Sequence, residues 1–453
     1  MKKHTVLFLE WTTHGREFEI DLPLMYFFEN YLGWNVEYKS QFNLPSVIKN
    51  TPDIIIKSGS TGAKLGLEWL KIIRKSKILV FTHVTEGMFR EEDIDEFVWG
   101  WNKEKKLLET LCTLWSYKAY SMSVKHYPEL QSKYRVSGSV GHDKYHFMIN
   151  DKISKNKYTK VVGYAAFDFN NILNNEEYFV KEFGRGKFIR LMNLAKKANE
   201  ILKYIIHNNN DILFLLKAHP GDGDKEPLEF DGLLNQDNVL VVDKKSSIVD
   251  VIASSDVWLN INSSTNLEAW LLSKPTISFV IDKDGFSSDV MHGTVLENNP
   301  HKINAMIQEY YSYGTIERFI EKQDRRKKLI KEYIGYDDGM NHVRYMSFLK
   351  PFVERVEKGV AKKGKWDISK KRLFEGYAKH ILYTLANGKN SNLILEKWST
   401  LYQRFDLNSL EFNKNLYYPR IERFYIDNKE QIDKLYINHA EDFSKLMQQH
   451  KIE

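Results

Sequence analysis

The feature that most limits the fold of this chain is the alternation of short apolar runs with helix-length segments between residues 212 and 281. The apolar runs cover residues 212–216, 239–242, 257–261 and 276–281. Short apolar runs separated by amphipathic segments are typical of βα units in a parallel sheet. Ligands of such sheets bind at the carboxyl ends of the strands. We therefore predict an α/β fold whose binding residues follow these strands.

Polar residues follow two of the predicted strands. Residues 217–220 read Lys-Ala-His-Pro, and residues 262–265 read Asn-Ser-Ser-Thr. The hydroxyl and amide groups of the second run would cap a helix that starts near Asn266, and they would also suit a phosphate. Glu268, about one turn further on, could accept hydrogen bonds from sugar hydroxyls. Ordinary helix capping explains the same pattern and stays open as an alternative.

The two runs carry a resemblance to a known family. Leu-Lys-Ala-His-Pro, followed by Asn-Ser-Ser-Thr-Asn-Leu-Glu-Ala-Trp-Leu-Leu-Ser-Lys-Pro-Thr-Ile, resembles the donor domain of GT-B glycosyltransferases. More narrowly, it is similar to bacterial surface carbohydrate biosynthesis and capsule polysaccharide proteins, with UDP-N-acetylglucosamine 2-epimerases as more distant relatives. The resemblance covers residues 1–345 in organisation. It implies nucleotide phosphates at His219, Ser263, Ser264 and Thr265, and a ribose at Glu268.

The same resemblance implies two Rossmann-like parallel-sheet domains that face a cleft, followed by a helical extension. A polar stretch over residues 150–160 predicts the linker between the domains. We expect an acceptor-side domain over 1–150, a donor domain over 158–335 and a crossover helix over 336–358. The extension, 359–453, combines aromatic and basic residues, which suits a small helical core, a membrane interface, a partner or stacking on sugar rings.

In the first domain, residues 5–10, 18–32 and 35–39 predict a βαβ unit, and residues 103–118 predict a helix before a return to the sheet at about 120–125. In a GT-B enzyme the first loop would face the donor across the cleft. The resemblance therefore makes His14, Arg16 and Glu17 candidates for acceptor or donor contact, with a solvated loop as the alternative. Ser58, at the end of a third strand, is a candidate for contact with the acceptor.

Two carboxylates and a histidine are candidates for catalysis. Glu86 follows the strand at 77–82 and precedes a glycine, where a general base could approach a substrate, although it could also cap a helix. Asp168 follows the first strand of the second domain, and retaining transfer could use it as a nucleophile. Lys217 and His219 could neutralise the charge that develops on a leaving phosphate.

Composition excludes several classes of protein. A hydrophobic fraction of 42% is enough for folded cores, and the single cysteine, Cys112, excludes a disulfide framework. No apolar run approaches the roughly 18 residues that span a bilayer. The charge of +6 is spread among many acidic residues, which permits a nucleic-acid or membrane-surface role but does not require one. We predict no nucleic-acid partner. The Asp-Gly-Asp run at 222–224 reads as a polar turn, and we expect neither a metal nor another cofactor.

These observations predict a metal-independent glycosyltransferase that moves a sugar from a nucleotide-sugar donor to a bacterial surface glycan such as capsule or O-antigen. The acceptor would be a glycan or a lipid-linked glycan. A cytoplasmic location is expected, and a peripheral position on the inner face of the membrane stays open. The alternatives are a sugar-nucleotide 2-epimerase of the same architecture and a catalytically inactive glycan-binding protein.

Overall fold

The structure is a computed structural model that describes residues 4–13, 16–59, 64–85, 87, 91–100, 105–149, 157–219, 226–242, 246–279, 289–361, 364–386 and 407–449. The chain forms two compact units. Unit 1 contains Met1–Met148 together with Lys331–Glu453, and unit 2 contains Ile149–Ile330. Unit 1 is therefore assembled from two separate segments of the chain, and unit 2 lies between them in sequence.

The sheet of unit 1 has six parallel strands in the order β2-β1-β3-β4-β5-β6. The strands are β1 (Thr5–Glu10), β2 (Asn35–Ser40), β3 (Ile54–Ser58), β4 (Leu79–His83), β5 (Leu111–Leu114) and β6 (Tyr134–Val136). Every residue of β3 is buried, because helices cover both faces of an all-parallel sheet. The parallel register puts the last residues of β1, β3 and β4 at one edge of the sheet.

The helices of the first segment of unit 1 connect these strands. They are α1 (Arg16–Tyr26), α2 (Leu44–Ile48), α3 (Lys64–Lys75), α4 (Ile94–Trp99), α5 (Tyr117–His126) and α6 (Lys144–Phe147). Helix α1 contains Pro23 and continues into a π-helical turn over Phe27–Tyr31. The predicted βαβ opening is present.

The predictions for residues 103–118 and 120–125 were wrong. Residues 111–114 form strand β5, and α5 occupies the stretch that was expected to return to the sheet. The hydroxyl of Ser116 accepts a hydrogen bond from the backbone N–H of Ala119 at 3.2 Å. This N-cap starts the helix after the strand and fixes the boundary between them.

Unit 2 repeats the architecture with six parallel strands in the order β12-β11-β10-β7-β8-β9. The strands are β7 (Lys160–Ala165), β8 (Ile212–Lys217), β9 (Val239–Val242), β10 (Val257–Asn260), β11 (Thr276–Ser278) and β12 (Val295–Leu296). The helices are α7 (Phe169–Asn174), α8 (Glu176–Phe183), α9 (Arg185–His207), α10 (Ile248–Ser254), α11 (Thr265–Leu271), α12 (Pro300–Tyr313), α13 (Glu317–Ile320) and α14 (Gln323–Tyr333). Strands β7, β8 and β10 are apolar and buried, as the sequence pattern predicts.

The second segment of unit 1 is helical. It contains α15 (Asn341–Glu357), α16 (Lys370–Ala386), α17 (Leu407–Asp427) and α18 (Lys429–Gln449). Helix α15 packs into the core of unit 1, and its start is held by Asp143. The Asp143 carboxylate accepts hydrogen bonds from the backbone N–H groups of Asn341 and His342 at 3.1 and 2.7 Å. The chain therefore returns to unit 1 at this helix.

Two parallel-sheet units and a helical C-terminal region confirm the predicted α/β fold class. Cys112 is buried in β5. In the part of the chain that the structure describes, no helix is both long and apolar enough to cross a membrane.

Candidate functional site

The residues of unit 2 that were predicted to bind the donor or to act in catalysis lie at the carboxyl ends of three neighbouring strands. Strand β7 pairs with β10 on one side and with β8 on the other. Neighbouring strands are about 4.8 Å apart, so the ends of β8 and β10 are about 10 Å apart. We call this group the strand-end site of unit 2. Its members are Asp168, Lys217, His219, Ser263, Ser264, Thr265 and Glu268.

Two of the predicted catalytic residues lie within hydrogen-bond distance of each other. Nδ1 of His219, after β8, lies 2.9 Å from Oδ1 of Asp168, after β7. Burial acts to raise the pKa of the Asp168 carboxyl, but hydrogen bonds from His219 and Asn171 outweigh it and leave that pKa below its usual value. Both side chains keep part of their surface exposed, 39% for His219 and 29% for Asp168. Asp168 is therefore an anion at neutral pH that a ligand can approach.

The Ser/Thr run forms a hydroxyl pair at the end of β10. The backbone N–H and the hydroxyl of Thr265 both lie within hydrogen-bond distance of Oγ of Ser263, at 3.2 and 3.0 Å. Ser264 precedes α11, but its side chain makes no capping hydrogen bond and is exposed. The helix begins one residue earlier than predicted, at Thr265. The run therefore combines a local turn with hydroxyl groups near the surface.

A buried network of amides holds this loop from below. Asn260, Asn266 and Ser278 are each fully buried, and their side chains bond to one another over 2.7–3.4 Å. Oδ1 of Asn260 also accepts a weak bond from the backbone N–H of Ser263 at 3.4 Å. Asn262 takes a left-handed backbone with φ +40°, which asparagine tolerates better than most residues. The loop conformation is thus fixed by side chains beneath it.

The remaining donor-side candidates are less accessible. Lys217 and Glu268 are 7% and 8% exposed. The backbone carbonyl of Lys217 accepts a hydrogen bond from the N–H of Ala166 at 2.9 Å, which ties the ends of β7 and β8 together. Lys217 and Glu268 therefore present only a small part of their side chains to a ligand.

The structure describes only some of the unit 1 residues that were predicted to contact the acceptor or to act in catalysis. His14 and Glu86 lie outside the described residues. Arg16 is the first residue of α1, and Glu17 is partly buried in its first turn. Ser58 is buried, and both its backbone N–H and its hydroxyl donate to the carboxylate of Glu10. The hydroxyl of Ser58 is therefore already engaged within the protein.

A group of ionisable residues around Ser58 was not predicted from the sequence. Glu10 ends β1, Lys57 lies in β3, His83 ends β4 and Asp21 lies in α1, and all four are at most 5% exposed. Nζ of Lys57 donates to the carbonyl oxygen of Ser58 at 3.0 Å. We call these four residues the buried charge cluster. Polar residues at the last positions of apolar strands were the signal in the sequence that could have revealed it.

Burial dominates the ionisation of this cluster. It raises the pKa of the Glu10 carboxyl, although the Lys57 ammonium and Ser58 act in the opposite direction. It raises the pKa of Asp21 well above its usual value, with the Glu10 charge adding to the effect. It lowers the pKa of Lys57 and lowers that of His83 to about 3. His83 is therefore neutral at physiological pH.

Some polar atoms of this region have no hydrogen-bond partner among the described residues. They are Oδ1 of Asp21, Oγ1 of Thr82 and both ring nitrogens of His83. Nε2 of His83 lies 3.8 Å from Oδ1 of Asp21, which is too far for a hydrogen bond. Unsatisfied buried polar groups are costly, so this cluster is a second candidate for function.

The described residues contain no group of three or more histidine, cysteine, aspartate or glutamate side chains placed to hold a metal ion. Metal independence stays a prediction.

The fold and the strand-end residues define a GT-B-like α/β protein. A candidate UDP-N-acetylglucosamine 2-epimerase from Listeria monocytogenes has a similar structure, with a TM-score of 0.52 and 11% sequence identity over 81% of this chain and 100% of that one. The structure of S. aureus MnaA with UDP is more remote, with a TM-score of 0.49 and 14% identity over 81% of this chain and 100% of that one. The wall teichoic acid polymerase TagF with CDPG has a TM-score of 0.44 and 10% identity over 79% of this chain and 90% of that one. At such identities the likeness concerns the fold alone.

A family comparison adds a more specific finding. Residues 190–349 match the model of the CDP-glycerol:poly(glycerophosphate) glycerophosphotransferase family. The match covers about a third of the chain and supports a transferase of surface-polymer biosynthesis. No curated protein matches the sequence at a significant level. The narrower capsule or O-antigen assignment stays a prediction.

Proposed function

We propose that this protein is a transferase that moves a group from a nucleoside-diphosphate-linked donor to a hydroxyl of a bacterial surface polymer. The supporting observation is the position of the glycerophosphotransferase match, because residues 190–349 include both donor-side runs of the strand-end site, at 217–219 and 263–268. CDP-glycerol is therefore the first donor to test. A nucleotide sugar, the donor that the sequence predicted, is the second.

The chemistry of the strand-end site suits the phosphates of such a donor. The hydroxyl pair of Ser263 and Thr265 offers uncharged hydrogen-bonding groups, and Lys217 and His219 offer positive charge or N–H donors. Glu268 accepts hydrogen bonds from hydroxyls of the ribose, as the sequence predicted. These groups match the two parts of a nucleoside diphosphate: an anionic phosphate and a neutral diol.

In glycerophosphate transfer, the acceptor oxygen forms a bond to the phosphorus that carries glycerol. The bond from that phosphorus to the bridging oxygen breaks, CMP leaves with the electron pair, and the acceptor hydroxyl loses its proton to water. Phosphoryl transfer of this kind depends mainly on positioning and on stabilising charge. The charged Asp168 holds the imidazole of His219, which then donates a hydrogen bond to the departing phosphate oxygen.

The nucleotide that is released distinguishes the possible reactions. The purified protein is incubated with CDP-glycerol and a glycerophosphate oligomer as acceptor, and the nucleotides are separated by anion-exchange chromatography. Release of CMP that depends on the acceptor supports the proposal. Release of UDP from a UDP-sugar with acceptor would indicate sugar transfer instead. Conversion of UDP-N-acetylglucosamine without an acceptor would indicate an epimerase, and binding without turnover would indicate a non-catalytic protein.

His219→Ala tests the site within this assay. We expect turnover to fall by about 10²- to 10³-fold, because a hydrogen-bond donor to the leaving phosphate is lost. The matched control is His301→Ala, since His301 is another surface histidine of unit 2 and its imidazole bonds to the hydroxyl of Tyr204 at 2.7 Å, away from the strand-end site. Thermal unfolding is measured for both variants. A stability loss in His219→Ala as large as its loss of turnover would contradict a role in the reaction.

A further inference from the structure

The hydroxyl pair of Ser263 and Thr265 receives hydrogen bonds from groups that can only donate. The indole Nε1–H of Trp258 donates to Oγ1 of Thr265 at 3.0 Å. The backbone N–H of Thr265 donates to Oγ of Ser263 at 3.2 Å. The two hydroxyl oxygens are 3.0 Å apart and share one hydrogen bond. An indole N–H and a backbone N–H have no acceptor capacity, so the polarity of both incoming bonds is fixed.

The numbers of hydroxyl protons and lone pairs in the Ser263–Thr265 pair determine which hydrogen bonds it can still make. It has two hydroxyl protons and four lone pairs. One proton lies between the two oxygens, and the three bonds together occupy three of the lone pairs. No bond of Ser263 or Thr265 within the described part of the chain takes up the second proton. One proton and one lone pair therefore remain, and the hydroxyl whose two lone pairs are both filled can only donate, to an acceptor such as an oxygen of a phosphate.

Trp258 can reach Thr265 because of a glycine in the neighbouring strand. Trp258 lies in β10, is fully buried and stands opposite Gly163 of β7 in the parallel register. A Cβ atom at Gly163 would lie 2.5 Å from the indole Cζ3 and 2.2 Å from the hydroxyl oxygen of Ser255. Since any side chain at residue 163 would displace the indole, Gly163 and Trp258 form one packing arrangement beneath the loop.

We propose that Trp258 is a positioning residue that biases the Ser263–Thr265 pair toward donating to a phosphate oxygen of the nucleotide, an inference that rests on the proposed function. With the indole N–H present, a lone pair of Thr265 is filled from inside the protein, so the pair offers a ligand one proton and one lone pair. Without it, the pair offers one proton and two lone pairs, and it can accept hydrogen bonds from neutral ligands more readily. Trp258 thus favours anionic ligands over neutral ones without contacting them.

Trp258→Phe tests this inference, because it keeps an aromatic ring and removes the N–H. Dissociation constants are measured by calorimetry for CDP and cytidine, and by competition for inorganic pyrophosphate. We expect CDP and pyrophosphate to bind about tenfold more weakly, the effect of losing about one hydrogen bond, while cytidine binding is unchanged. The matched control is Trp270→Phe. Trp270 is also buried, and its indole N–H donates to the hydroxyl of Thr276 at 2.9 Å, outside the loop. Trp270→Phe should leave all three ligands at wild-type affinity.

Thr265→Val provides a second test that leaves the tryptophan in place. It should weaken CDP binding to a similar extent, and adding Trp258→Phe should change the affinity by less than about twofold, because both substitutions remove the same bond. CDP binding by Trp258→Phe equal to that of Trp270→Phe would overturn the inference and leave the proposed function intact. A wild-type protein that binds neither CDP, UDP nor pyrophosphate would overturn both. An equal loss for CDP and cytidine would show that Trp258 only supports the fold.

Discussion

In unit 2 the polar groups at the strand ends are partly open to solvent, whereas in unit 1 the groups at the same edge of the sheet are buried. His219 and Asp168 pair at 2.9 Å and keep a good part of their surface exposed. Glu10 and Asp21 are 0% exposed. Both units have polar groups at the carboxyl edge of a parallel sheet, but unit 2 leaves His219 and Asp168 partly exposed, whereas unit 1 keeps its ionisable groups away from water.

The difference appears in the direction of the pKa shifts. Specific hydrogen bonds leave the pKa of Asp168 below its usual value despite partial burial. In unit 1 burial prevails, so the pKa values of Glu10 and Asp21 rise and that of Lys57 falls. Each shift in unit 1 disfavours the charged form. Unit 2 therefore stabilises the Asp168 carboxylate as an ion, whereas burial in unit 1 destabilises the charged forms of Glu10, Asp21 and Lys57.

The largest effect should come from Lys57→Met, which removes the cation of the buried charge cluster. The carboxylate of Glu10 would lose its compensating charge, so we expect the free energy of unfolding to fall by about 3–5 kcal/mol in denaturant titration. Lys160→Met is the control, because Lys160 pairs with Asp211 at 2.6 Å on the surface of unit 2 and should cost at most about 1 kcal/mol. Similar small losses in both variants would mean that the cluster is uncharged when folded.

A smaller effect, on turnover, is expected from Asp168→Asn. The amide keeps an oxygen for His219 but loses the charge, so CMP release should fall by about 10- to 100-fold with little loss of stability. The pKa of Asp168 is lower in the folded protein than in the unfolded chain, where it is about 3.9. The ionised carboxylate therefore stabilises the folded protein above about pH 3.9, and this stabilisation is lost as the pH falls through the lower, folded pKa. Asp211→Asn is the control, since Asp211 makes a surface ion pair with Lys160. An unchanged rate in Asp168→Asn would remove this residue from the site.

The smallest effect should come from Asp21→Asn, and it should depend on pH. The raised pKa of Asp21 means that the folded state binds the proton more tightly, so wild-type stability should decline as the pH rises from about 4 through the folded value. The amide cannot ionise, and the variant should therefore be more stable by about 1 kcal/mol or more at pH 9 and nearly equal to wild type at pH 4, where the carboxyl of the unfolded chain begins to ionise. If the unfolding temperatures of wild type and Asp21→Asn changed with pH in parallel, the pKa of Asp21 would not be raised in the folded protein.

The sequence predicted the fold well where the apolar runs were long and regularly spaced. The runs at 212–217 and 257–260 are strands, and the polar residues after them lie at one edge of the sheet. The run at 111–114 was misread as helix, because a buried run of only four residues does not distinguish a strand from a helical turn. The cap at Ser116 carried the missing information.

The candidate site was predictable only in part. Residue types and their position after strands identified His219, Asp168 and the Ser/Thr run, but not their partners. Trp258 reads in the sequence as an ordinary core residue, and its bond to Thr265 depends on the parallel pairing of β10 with β7 opposite Gly163. Polar residues at the ends of apolar strands signal the buried charge cluster, but its four members come from separate stretches of sequence, so no local pattern shows that they meet.

The assembly of unit 1 from two segments has a consequence for the order of events on the ribosome. Helix α15 supplies fully buried residues such as Val343 and Leu349 to the core of unit 1, and Phe352 packs on Phe81 of β4 with ring centroids 5.1 Å apart. The first 148 residues must therefore wait, with apolar surface uncovered, until about 200 further residues, 149–357, have been translated and α15 has emerged. The inserted unit has all of its strands by then, so the part made second is expected to fold first.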